Sequence, residues 1–137
     1  MLTARDIMTP SAQCIRENDS LEQAAQMMRD LDVGALPICG EDNRLKGMLT
    51  DRDIAVLAVA EGRNPETVNA GEFGKEKPVT IGADDSIDNA IATMKEYKVR
   101  RLPVIDGKDL VGMVAQADIA RHISDDKVGD LVELISN

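Results

Sequence analysis

Four polar residues, Thr50-Asp51-Arg52-Asp53, interrupt the otherwise apolar stretch GMLTDRDIAVLAV at 47–59. A hydroxyl and a carboxylate three residues apart, at a strand-to-helix turn, can do two kinds of work. As a capping box they satisfy the orphan N–H groups of a first helical turn, worth about 1 kcal/mol. As a clamp, the carboxylate takes both hydroxyls of a cis-diol in charge-assisted hydrogen bonds, and the helix N-terminus beside it favours phosphate. The turn recurs as Ala115-Gln116-Ala117-Asp118, where the hydroxyl is gone and the acid stays. A reciprocal box cannot form there, yet an acid in a first turn still gains from the helix dipole. Both readings therefore stay open for Asp53 and Asp118.

Other reactive groups are few. The single histidine, His122, lies in ADIARHI near a helix end, where it meets terminal carbonyls. One histidine leaves no basis for a histidine metal site or a Ser-His-Asp triad. Cys14 and Cys39 are too far apart for a CxxC pair and too few for zinc. With no evident nucleophile–base pair, the chain is expected to be no enzyme and to require no cofactor. Candidate cations for an anionic ligand are Arg100 and Arg101, which precede Leu102-Pro103 where the first half has Gly34-Ala35. Consecutive strand residues face opposite ways, so only one of the two reaches a given side. Arg5, Arg52 and Arg121 are weaker candidates.

Composition narrows the function classes. The chain has 137 residues, a net charge of −9, one Tyr, one Phe and no Trp. Scarce aromatic faces and a strongly negative field both argue against nucleic acid as a partner. No apolar run is long enough to span a bilayer, and MLTARDIMTP lacks the layout of a secretory signal, so a cytoplasmic location is expected.

The elements that position these residues occur twice. Sliding the sequence by 66 residues lays Ala4 on Ala70, Ile15 on Ile81, Asp19-Ser20-Leu21 on Asp85-Ser86-Ile87 and Leu36-Pro37-Ile38 on Leu102-Pro103-Val104. After one residue is lost in a turn, LKGMLTDRDIA falls on LVGMVAQADIA. Each half reads as a short strand (13–15 or 79–81), a helix capped by Ser20 or Ser86, two strands around an Asp/Gly turn, and a second helix. The apolar spacing of the first helix is Leu21, Ala24, Ala25, Met28 in one half and Ile87, Ala90, Ile91, Met94 in the other. The second helix is expected over 51–61, stopped by Gly62, or 116–123. The fold class is thus α/β (α+β), with two β-α-β-β-α repeats expected to pack with pseudo-twofold symmetry into one module. The repeats are placed at 3–62 and 70–124, with a linker at 63–69. A C-terminal helix at 125–137 has Val128, Leu131, Val132 and Ile135 in helical spacing.

The patterns ARDIMTP, DSLEQAAQMM, GALPIC and LKGMLTDRDI resemble the cystathionine β-synthase (CBS) domain, and their repetition resembles the tandem pair called a Bateman module. That resemblance covers about residues 3 to 124. It implies a regulatory module taking AMP, ADP, ATP or S-adenosylmethionine in clefts between its halves, and commonly forming a homodimer. The family pattern Gly-h-h-Thr/Ser-x-x-Asp, with h apolar, maps onto Gly47, Thr50 and Asp53, and then onto Gly112 and Asp118. By the resemblance, the acid holds ribose and the hydroxyl contacts phosphate or sugar; Ala115 removes that hydroxyl from the second copy. The resemblance also favours Arg101 over Arg100 as a phosphate neighbour, and pairs the strands that carry Cys14 and Cys39. Two readings of the cysteines stand: a bridge closing about 26 residues, worth roughly 3 kcal/mol, or two reduced core cysteines. The alternative function is a ligand-free stress-response or interaction protein acting through its dimer surface, with the protein partner unknown.

Overall fold

Both long helices begin at a serine. The computed structural model describes residues 2–10, 13–74 and 78–122. In it, Ser20 Oγ accepts from Gln23 N–H (3.1 Å) and Gln23 Oε1 accepts from Ser20 N–H (2.8 Å), opening α2, Leu21–Leu31. Ser86 Oγ accepts from Asn89 N–H at 3.1 Å and opens α4, Ile87–Tyr97. The two helices also end alike, at the repeat-related Asp32 and Lys98, which adopt φ of 55° and 54°. Leu21, Ala24 and Met28 of α2, and Ile87, Ala90, Ile91 and Met94 of α4, are buried. Ala25 is exposed where its counterpart Ile91 is buried, and Met27 gives α2 partial cover from a neighbouring row instead.

The chain forms two compact units, and their make-up does not follow the sequence halves. One comprises the described residues of Gln13–Pro78. Its sheet has the order β2-β3-β4, with β2 (Ile15–Arg16) parallel to β3 (Ala35–Cys39) and β3 antiparallel to β4 (Leu45–Thr50). The other comprises the described residues of Met1–Ala12 together with those of Val79–Asn137. Its sheet has the order β1-β7-β6-β5: β1 (Thr9–Pro10), β5 (Ile81–Gly82), β6 (Arg101–Asp106) and β7 (Asp109–Ala115). β5 runs parallel to β6, and β7 pairs antiparallel with both β6 and β1. The short strands β2 and β5 lie slightly later than the sequence pattern places them, because pairing begins at Ile15 and Ile81.

The segment ahead of the first repeat therefore docks on the second repeat's sheet, and the segment ahead of the second repeat docks on the first's. Helix α1, Ala4–Ile7, is held by Ala4 N–H donating to Asp85 O (2.8 Å) and Arg5 N–H donating to Ala83 O (2.9 Å). The 3-10 turn Ala70–Glu72 is held by Ala70 N–H donating to Asp19 O (2.8 Å) and Gly71 N–H donating to Glu17 O (2.9 Å). Each bond in one unit is its counterpart in the other moved by the repeat. Side chains fasten both straps. Arg5 pairs with Asp106 at 3.0 Å and Asp84 at 3.5 Å, and Arg63 pairs with Glu72 at 2.9 Å while lying over the Phe73 ring. Asp106 raises the pKa of Arg5, and the Thr3 N–H and hydroxyl hold the Asp6 carboxyl below the usual range. Ile7 and Phe73, again repeat-related, enter the two separate apolar cores.

Cys14 and Cys39 are joined by a disulfide, with Cα atoms 5.7 Å apart. The parallel β2–β3 register, Ile15 opposite Ile38 and Arg16 opposite Cys39, brings the two ends together. The second helix of the first repeat, α3, starts at Asp51 and changes to π-helical geometry over Ile54–Val59; Gly62 follows at φ 73°. Its counterpart α5 spans Gln116–Ala120. Ile123 and the C-terminal helix expected over 125–137 lie outside the described residues. Among the described residues no helix is long and apolar enough to cross a membrane.

Candidate functional site

In each repeat the antiparallel hairpin delivers the candidate residues to one place. The register sets Ala35 opposite Thr50 in β3–β4 and Arg101 opposite Ala115 in β6–β7. The first residue of the following helix is tied back across the hairpin mouth: Asp51 N–H donates to Gly34 O (2.9 Å), and Gln116 N–H donates to Arg100 O (2.8 Å).

The capping reading is realised at the first turn. Thr50 Oγ1 accepts from Asp53 N–H, and Asp53 Oδ2 accepts from Thr50 N–H, both at 3.0 Å. This uses one carboxylate oxygen of the half-buried Asp53; among the described residues Oδ1 has no hydrogen-bond partner. At the second turn only half of the box exists. Asp118 Oδ2 accepts from Ala115 N–H at 2.8 Å, and Ala115 has no oxygen to return. Asp118 is more deeply set, at 7% exposure, and its Oδ1 lies 3.7 Å from Arg121. His122 Nδ1 lies 2.9 Å from the Asp118 carbonyl, the helix-end role its position implies.

Arg100 and Arg101 are both exposed and form no ion pair among the described residues. Because Arg101 is the cross-strand partner of Ala115, the second repeat loses a hydroxyl and gains a guanidinium on directly opposed positions. Arg5 pairs with Asp106 and Asp84, and Arg121 lies near Asp118. A cavity of about 340 Å³ lined by Arg16, Glu17, Asn18, Cys39 and Glu41 lies at the Cys39 end of β3. Thr50 pairs at the other end of that strand and contributes nothing to it.

The pattern glycines turn out to have a packing duty that sequence reasoning missed. A Cβ on Gly47 would lie within 2.8 Å of the Gly74 carbonyl carbon, and one on Gly112 within 2.7 Å of the Thr9 carbonyl oxygen. Each glycine lets the strap's backbone cross the hairpin. The available signal was that the repeat begins at Ala4 and Ala70, ahead of the first strand in each half.

The CBS domain model matches residues 4–59 and 70–125. The chain belongs to the CBS-domain family. The motifs GALPICG, GMLTDRDI, VRRLPVI and ADIARH also carry a finer resemblance to the hypoxic response protein of mycobacteria. Indeed, this CBS protein is 47% identical over 135 residues to Hypoxic response protein 1 of Mycobacterium tuberculosis, covering 98% of this chain and 94% of that one. The crystal structure of Hypoxic Response Protein I with two coordinated zinc ions matches with a TM-score of 0.83 and 50% identity, over 90% of this chain and all 100% of that one. The crystal structure of CBSX2 in complex with AMP matches with a TM-score of 0.77 over 88% of this chain and 95% of that one; at 23% identity it attests the shared fold.

Proposed function

We propose that this CBS pair, with repeats at 3–62 and 70–124 joined by 63–69, is a non-enzymatic cytoplasmic regulatory module that binds an adenosine-containing ligand such as AMP, ADP, ATP or S-adenosylmethionine. The observation that carries this reading is the Asp53 carboxylate, fixed by its cap to Thr50 with one oxygen free to accept from a sugar hydroxyl. The AMP complex of CBSX2 supports the ligand class. Arg101, across from Ala115, is the side chain available to a phosphate in the second repeat. A ligand regulates such a module only by favouring one conformation over another, through a difference in affinity. Calorimetric titration with AMP, ADP, ATP and S-adenosylmethionine tests the reading. Heat is expected with at least one of them, reduced in Asp53→Ala. Silence with all four, or undiminished binding in the variant, counts against it.

Zinc is not carried over from the relative. This chain has one histidine, both cysteines are bridged, and no three His, Cys, Asp or Glu side chains converge among the described residues. That donor set does not fit a tetrahedral zinc centre.

A second reading is a stress-response protein that works through a homodimer surface, without a ligand. It is favoured by the uncharged run Ile54–Ala60, on which Val56, Leu57 and Val59 are 40%, 48% and 59% exposed. In a chain of net charge −9, this is a face on which two copies can meet without opposing like charges. Sedimentation of Leu57→Asp is expected to show monomer where the native chain shows dimer; a native monomer removes this reading.

A further inference from the structure

One repeat carries a covalent staple and the other does not. The bridge joins Cys14 and Cys39, whereas the repeat-related positions hold Thr80 and Ile105. The pairing around it is duplicated: Arg16 faces Cys39 as Gly82 faces Ile105, and Glu17 N–H donates to Cys39 O as Ala83 N–H donates to Ile105 O. The staple is unevenly covered. Cys39 is fully buried, and Cys14, just ahead of β2, is only half-buried. A bridge with one reachable sulfur is open to attack by a thiolate, and exposed bridges are the labile ones.

What the staple holds is short. β2 pairs with β3 at two positions, and the turn after it receives the strap: Gly71 N–H donates to Glu17 O and Ala70 N–H to Asp19 O. Glu17 and Asn18 also line the cavity of about 340 Å³ beside Cys39, so open space lies against this turn where a core would otherwise back it. The bridge is the one covalent restraint beside the turn, and the strap docks on the turn.

We propose that Cys14–Cys39 is a thiol–disulfide exchange site, and that its opening by a low-molecular-weight thiol releases the β2 turn and the Ala70–Glu72 strap without loosening the second repeat's sheet. The thiolate attacks Cys14 Sγ and bonds to it; the Sγ–Sγ bond breaks, and its electron pair leaves on Cys39 Sγ, which takes a proton. A second thiolate attacks the small molecule's sulfur in the mixed disulfide, and Cys14 leaves as a thiolate and is protonated. Two small thiols are thereby oxidised to one disulfide as the bridge is reduced to two thiols. The cytoplasmic location proposed above supplies such a reductant. The nucleotide reading plays no part in this step.

The test is hydrogen exchange by mass spectrometry on the full chain, with and without reduced glutathione as the probe, with free thiols counted by alkylation in the same samples. Two free thiols are expected after treatment. Exchange over 13–19 and 70–74 should then be at least tenfold faster, and exchange over 81–115 should stay within twofold. A bridge that resists glutathione overturns the exchange site. Two free thiols with unchanged exchange over 13–19 and 70–74 overturn the release, and so does equal acceleration over 81–115. The single variants locate the attack: with oxidised glutathione, Cys39→Ala should form its mixed disulfide at least tenfold faster than Cys14→Ala. Equal or reversed rates overturn the assignment to Cys14. The exchange measurement uses the native chain, so it decides the release whether or not either variant folds.

Discussion

Ile7 belongs by sequence to the first repeat and by packing to the second, and replacing it separates the two assignments. The side chain is 6% exposed and shares a core with Ile81, Ile87, Met94, Leu102, Val104 and Val114. Ile7→Ala removes three buried carbons, and truncations of this kind cost about 2–5 kcal/mol. Taking about 3 kcal/mol, and about 1.4 kcal/mol per tenfold, amides that exchange by opening of this unit should exchange on the order of 150-fold faster. Hydrogen exchange read by mass spectrometry should place the acceleration in peptides over residues 81–120, which begin 74 positions away in sequence. Peptides over 15–50 should change far less. Phe73→Ala is the mirror experiment: it lies in the core of Ile15, Leu21, Leu36, Ile38 and Leu49, and should accelerate 15–50 instead. An acceleration in Ile7→Ala as large over 15–50 as over 81–120 would refute the exchanged docking of the straps.

Replacing both cysteines, Cys14→Ala with Cys39→Ala, opens a closure between residues 25 apart and is expected to cost about 3–4 kcal/mol in the chain-entropy model, read as a lower urea midpoint. Reductant should lower the native midpoint and leave the variant's unchanged; a native midpoint indifferent to reductant would contradict the bridge. Gly47→Ala forces a methyl against the Gly74 carbonyl, where backbone cannot yield cheaply, and should destabilise by about 1–3 kcal/mol in urea unfolding. Gly62→Ala, at φ 73° with open space around it, reads conformational strain alone; Gly47 is not left-handed, so a Gly47→Ala cost near zero would show that nothing crosses there.

Much of this was legible in the residues. Ser20 and Ser86 announce their helices because a hydroxyl before an apolar i, i+3, i+4 pattern has a local job, and local jobs can be read locally. The strand pair around each Leu-Pro is legible for the same reason. Which repeat each strap covers was not, because Ala4 and Ala70 look the same whichever sheet they meet, and that choice is made by long-range packing. The change of α3 to π-helical turns over Ile54–Val59 was also invisible, since IAVLAV suits either helix. At the site, Thr50 and Asp53 were read as a cap with a second use, and the cap is there. The difference between Asp53 and Asp118 needed depth of burial and the position of Arg121, which spacing alone does not supply.

The crossing of the straps sets an order of events on the ribosome. Residues 13–60 emerge early, yet their sheet lacks its cover until Ala70–Gly74 has followed, so the earlier repeat waits only for a stretch just behind it. The N-terminal residues wait much longer: Ala4 and Ile7 have no binding surface until β5, α4, β6 and β7 have been made. This strap is thus made well before the sheet it covers, and it carries its isoleucine uncovered until β7 has been synthesised.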